Sequence, residues 1–153
     1  MYVLKHGIKK NPEKFWALPD RIFFGYGACP ILAGVFLSYP PLDGFYGERI
    51  IPSGNHYGNH IYVTNGVIAF DYHGYSSRER LLEHHKRGWV RTAPTGTARW
   101  KRSISICSTL PNLIGERCGD RINICKIPYP ARRFLQRIDH AAAATRALKI
   151  ATR

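Results

Sequence analysis

Acidic side chains are scarce in this chain. It has ten Asp and Glu against 23 Lys and Arg in 153 residues, a formal net charge of +13. Cysteine is scarce as well: Cys29, Cys107, Cys118 and Cys125, with no C-x-x-C pair among them. Four such residues are too few for a disulfide scaffold, and their spacing does not support a structural zinc site. Long apolar runs are missing. The longest, Ala28 to Leu37, is about half of the roughly 20 residues that a membrane-crossing helix needs. The first 16 residues, MYVLKHGIKKNPEKFW, lack the apolar stretch and small-residue cleavage site of a signal peptide. Together these absences point to a reducing, cytoplasmic setting. An effector exported without a cleaved signal peptide would look the same.

What is present is enough apolar material, 44%, to build a real core. The length predicts one domain over 1–153. The charge is distributed unevenly within it. Residues 1–75 carry six basic and five acidic side chains, and residues 76–153 carry 17 and five. The first part reads as a chemical half, the second as a basic half of helix and strand.

Local signals sharpen this. Gly25-Tyr26-Gly27-Ala28-Cys29-Pro30 leads into an apolar stretch that Pro40-Pro41 ends. Pro30 suits the first turn of a helix, so a short buried helix over 30–38 is expected, with Cys29 as its N-cap. Residues 40–58, with Pro-Pro, Asp43-Gly44 and Ser53-Gly54-Asn55, read as loop. His60–Thr64, Asn65-Gly66 and Val67–His73 read as a β-hairpin with a type I′ turn. That turn would pair Thr64 with Val67, Tyr62 with Ala69, and His60 with Asp71. Ile61, Val63, Ile68, Phe70 and Tyr72 then form a core face. His60, Tyr62, Thr64, Val67, Ala69, Asp71 and His73 form the other. Ser76-x-x-Glu79 reads as a capping box for a helix over 77–87, which Gly88 ends. Leu81, Leu82 and His85 form its inner face, while His84 is exposed. Strands are expected at 103–107 and 121–125. A helix over 130–150 is expected to bury Phe134, Ile138, Ala141, Thr145 and Leu148. The fold class is therefore α+β: a short Cys-bearing helix packed on an antiparallel sheet, with a basic C-terminal helix.

The hairpin carries the chemistry. Opposed residues in an antiparallel pair have Cβ atoms about 4.5–5.5 Å apart, so Asp71 can accept the Nδ1–H of His60 and leave Nε2 as a base. A cysteine at a helix N-terminus is the natural nucleophile for such a pair, because the helix dipole and a nearby imidazolium both favour thiolate. Backbone N–H groups at the same helix end can hold an oxyanion. Gly27-Ala28-Cys29 entering a buried helix, followed by His60 and Asp71 on successive strands, resembles the papain-like superfamily. More narrowly it is similar to the transglutaminase-like and bacterial cell-wall-amidase branches, which share this chain order. The resemblance implies Cys29 as nucleophile, His60 as base and Asp71 as orienter, acting without a cofactor on an amide, isopeptide or ester. Two departures stand out. Papain-type enzymes place a Gln upstream of the Cys as oxyanion donor, and the sole Gln here is Gln136. Pro30 removes a backbone donor beside the thiol, and Tyr26 is the candidate to supply a hydroxyl in its place.

Two other readings stand beside this one. His56, His60, Asp71 and His73 fall within 18 residues, and two His with a carboxylate suit zinc or iron. The basic half offers a surface of Arg132, Arg133, Arg137, Arg146 and Lys149 for an acidic protein or a polyanion.

Overall fold

The computed structural model describes residues 7–52, 60–92, 100–103 and 128–152. A 3-10 turn, Ile8–Lys10, precedes three helices: α1 (Pro12–Trp16), α2 (Asp20–Gly25) and α3 (Cys29–Ser38). Four strands follow: β1 (Tyr46–Pro52), β2 (His60–Thr64), β3 (Ile68–Asp71) and β4 (Gly74–Ser77). Then come α4 (Arg78–Thr92), β5 (Trp100–Ser103), α5 (Pro128–Gln136) and α6 (His140–Ala151). The strands form one sheet in the order β4-β3-β2-β1-β5, antiparallel at every pair. The chain is thus α+β, with α3 packed on the sheet. Among the described residues no helix is long and apolar enough to cross a membrane.

Because α3 is apolar all the way round, it must be enclosed on every side. Every residue from Cys29 to Phe36 is buried. One flank packs on Ile61, Val63 and Phe70 of the sheet, and Phe23, Phe24, Ala131 and Leu135 close the rest. Phe36 has no exposed surface, and its ring meets Phe70 at 5.1 Å and Phe45 at 5.3 Å. Burying a side chain of this size contributes about 1.5–3 kcal/mol. The opposite sheet face is covered too. Ile50, Tyr62 and Ala69 pack against Leu81 of α4, and this places α4 over the hairpin's polar end.

The hairpin forms, but with a different turn. Thr64 pairs with Ala69 and Val63 with Phe70, two residues away from the expected register. Asn65 is the reason. Its N–H donates to the Ile68 carbonyl at 3.2 Å, and its Oδ1 accepts from the N–H groups of Val67 and Ile68. Gly66 and Val67 thereby become the central pair. Gly66 has φ +95° and Val67 does not have a positive φ, which fits a type II′ turn and not a I′ turn, where both central residues are left-handed. A shift of two residues preserves the alternation of faces, so His60 and Asp71 still share one.

Other expectations need correction. Residues 46–52 lie in the expected loop yet form β1, held between β2 and β5; pairing on both sides overrides its Gly and Pro. The α4 cap is Ser77, whose Oγ accepts from the Arg80 N–H at 3.3 Å, and the helix runs through Gly88 to Thr92. Cys29 is the first residue of α3 rather than its cap. The expected C-terminal helix is two helices, because the Asp139 side chain caps a new start by accepting from Ala142 N–H at 3.0 Å. That restart resets the buried stripe to Ala144 and Ala147 and leaves Ala141, Thr145 and Leu148 exposed. Trp100–Ser103 forms a strand, and of the strand expected at 103–107 all but Ser103 lies outside the described residues. The one expected at 121–125 lies outside the described residues, as do Cys107, Cys118 and Cys125.

The five basic residues also divide. Arg132 lies 4.2 Å over the Tyr39 ring. Arg137 is paired with Asp20 and donates to the Arg133 carbonyl at 3.1 Å. Arg133, Arg146 and Lys149 are exposed.

Candidate active site

Three elements meet around His60. It is the first residue of β2, Asp71 is the last of β3, and Cys29 opens α3. All three are buried, with His60 3%, Asp71 4% and Cys29 7% exposed. The His60 Nε2 hydrogen-bonds Asp71 Oδ2 at 3.1 Å, and Cys29 lines the same small cavity as the ring. The ring orientation is the reverse of the expected one: Nε2 rather than Nδ1 engages the carboxylate. The observed register accounts for this. Continued by two residues, it sets Asp71 opposite Tyr62 and diagonal to His60. Diagonal neighbours lie about 7–8 Å apart, a span that the far ring nitrogen covers and the near one does not.

Asp71 gathers more than one histidine. Its Oδ1 accepts from the His73 N–H at 2.8 Å, and its Oδ2 lies 3.3 Å from His73 Nδ1. His85, from α4, brings Nε2 to 3.5 Å from the same oxygen. Burial opposes charge on Asp71, but the contacts with His60, His73 and His85 outweigh it and hold the carboxyl well below the usual range. Burial likewise opposes charge on His60. The contacts with Asp71 and Cys29 more than offset it and raise its pKa to about 9. A cysteine at a helix N-terminus beside an imidazolium is the setting in which a thiolate is favoured. His85 goes the other way. Burial, together with the positive charge of His60, lowers it to about 4 despite Asp71. Burial and the neighbouring His73 also lower His84. At neutral pH the cluster therefore holds a carboxylate, an imidazolium and a neutral imidazole.

Tyr62 and Tyr72, with Leu32, Ala33, Ile61 and Phe70, complete the walls of the small cavity containing Cys29, His60 and Asp71. The cavity measures about 10 Å³, room for one water at most. Tyr72 meets the His60 ring edge-on at 5.9 Å, and burial pushes its hydroxyl pKa up. Its approach depends on Gly25, where a Cβ would come within 2.9 Å of the Tyr72 ring. Tyr26, the expected hydroxyl donor, does not line this cavity; it is an electrostatic neighbour of Tyr72. On the far side of Tyr62, between α4 and β1, lies a groove of about 680 Å³. Ile50 and Leu82 supply its apolar surface, and Arg49, Arg78, Lys86 and Arg87 supply cationic groups. Beneath it the buried Glu48 accepts from Tyr62 Oη and from Arg78 Nε, the latter at 2.8 Å.

The expected metal set does not assemble as written. His56 lies outside the described residues, and the His73 side chain is 41% exposed and turned to Asp71. Instead His60, Asp71 and His85 bring one donor atom each within 4.8 Å of one another. The two rings are stacked, 4.1 Å apart and 25° from parallel. Imidazole lone pairs lie in the ring plane, so those of near-parallel rings run side by side and do not converge on one tetrahedral ion. The geometry fits hydrogen bonding better than metal ligation.

His85, expected on the inner face of its helix but not in the site, and Tyr72, expected only in the core, both stand against His60. The Leu81, Leu82, His85 spacing was the available signal, because it turns His85 toward whatever Leu81 covers. Comparison with protein-family models, curated proteins and solved structures finds no match.

Proposed function

We propose that this chain is a thiol hydrolase or acyltransferase acting on an amide, isopeptide or ester through Cys29, His60 and Asp71. The observation that carries the reading is the placement of His60, buried between a cysteine at a helix N-terminus and a carboxylate, with its pKa raised to about 9. The Cys29 sulfur attacks the substrate carbonyl carbon, forming the C–S bond. The proton on His60 goes to the leaving amine or alkoxide as the bond to it breaks. Water or an amine then attacks the thioester, His60 takes its proton, and the C–S bond breaks to restore the thiolate. Asp71 holds the ring orientation and stabilises the imidazolium. The positive end of α3 favours both thiolate and oxyanion. A cavity with room for one water requires the walls to part before an acyl group can enter.

The test is covalent labelling. Iodoacetamide at pH 6 should modify Cys29 much faster than Cys107, Cys118 or Cys125 in the folded chain, and His60→Ala should remove the difference. Labelling of Cys29 at or below the rate of the other three cysteines would refute the nucleophile assignment.

For the basic half, the exposed Arg133, Arg146 and Lys149 support a weak electrostatic dock for an acidic protein or polyanion. Binding to heparin should fade between low and physiological salt and drop in Arg133→Glu/Arg146→Glu. Binding that resists salt, or survives the reversal, would dismiss the dock.

A further inference from the structure

We propose that His85 is a positioning residue, an inference that rests on the thiol chemistry above: its ring, laid against His60, holds the imidazole in the plane that turns Nε2 to Asp71 beside Cys29. His60 begins its strand, and the torsion that turns a His ring has broad minima. The hydrogen bond from Nε2 to Asp71 fixes one ring atom, but the ring can still rock about that point. His85 covers one ring face at 4.1 Å. Tyr72 stands edge-on at 5.9 Å and Tyr62 is parallel at 6.4 Å, both too distant to bear on the ring as closely.

The clamp is itself anchored. His85 lies one helical turn from Leu81, which is 5% exposed and packed against Ile50, Tyr62 and Ala69. Its side chain is only 13% exposed, and Nε2 reaches 3.5 Å from Asp71 Oδ2. The titratable groups around His60 are Cys29 from α3, Tyr62 from β2, Asp71, Tyr72 and His73 from β3 and the turn after it, and His84 and His85 from α4. Of the three histidines gathered on Asp71, only His85 stacks face to face on His60. A neutral ring in that position lies against the imidazolium without adding a second positive charge beside it.

The experiment uses the full chain. The His60 ring is titrated by NMR, and the Cys29 alkylation rate is followed against pH, in wild type, His85→Ala, His85→Gln and His85→Phe. Alanine and glutamine remove the ring face, whereas phenylalanine keeps it. The expected result is a fall in the His60 pKa of about one unit in the Ala variant, or in the Gln variant should Ala unfold. Alkylation at pH 6 should slow about tenfold in step, since one unit is a factor of ten. The Phe variant should stay within half a unit of wild type. A merely structural role would lower the melting temperature and leave the His60 titration in place. An unmoved titration in both the Ala and Gln variants, or an equal fall in Phe, overturns the proposal. The thiol reading fails separately, by slow Cys29 alkylation in wild type, and the His60 titration still answers for His85 in that case.

Discussion

Replacing Asp71 with Asn changes one oxygen to an amide nitrogen at the point where three histidines converge. Unit charges 3.1 Å apart, at an effective dielectric of about 20, attract by about 5 kcal/mol, equivalent to about four pKa units. That exceeds the net rise of His60 from 6.5 to about 9. Without the carboxylate charge, burial acts with less opposition and the His60 pKa should drop to 6.5 or below. At pH 7.5 the imidazolium fraction would then fall from nearly all to about a tenth. Cys29 would lose its charged partner, and its alkylation at that pH should slow at least tenfold. The fold should survive, because the Asn oxygen can still accept from the His73 N–H that Asp71 Oδ1 accepts now. A stability loss of about 1–3 kcal/mol is expected from the weakened bonds. A raised His60 pKa supplies stability that is fully present below 6.5 and lost as the pH rises through about 9. The variant should lack that alkaline fall. The assay is NMR titration of His60 alongside mass-spectrometric alkylation of Cys29. An Asn variant whose His60 still titrates above 8 would refute the electrostatic account.

Phe36→Ala should cost about 3–5 kcal/mol, since Phe36 is wholly buried among Phe45, Phe70, Tyr75 and His140; denaturant midpoints check it, and a loss below 1 kcal/mol would contradict the packing. Glu48→Gln leaves Arg78 without its buried counter-charge and should cost about 3 kcal/mol. A near-neutral result in urea melts would mean that Arg78 finds solvent through the groove. His85 has a depressed pKa, so its contribution is present above 6.5 and lost as the pH falls through about 4. Across that window it should impose a slope of about 1.4 kcal/mol per pH unit. His85→Phe should remove that one-proton slope, and an unchanged acid limb would contradict the neutral assignment.

Much of this architecture was legible in the local sequence, wherever a residue's role depends on its near neighbours. Pro30 and the apolar run after it mark α3, and alternation through 60–73 marks a hairpin and its two faces. Those faces survive a two-residue change of register because side chains alternate with a period of two. Cys29, His60 and Asp71 were therefore identifiable as a set. What failed was set by partners distant in the chain. β1 exists because β2 and β5 pair with it on both sides, against its own Gly and Pro. The C-terminal helix divides because the Asp139 side chain outcompetes helix continuation, and the restart moves the buried face to Ala144 and Ala147. The His60 ring is turned around because Asn65 binds its own turn and sets Asp71 on the diagonal. His85 enters the site only because Leu81, four residues earlier, docks α4 on the sheet. Propensity and pattern act over a few residues, whereas ring orientation and a helix's neighbours are chosen by packing across the whole chain, and only the tertiary structure carries that choice.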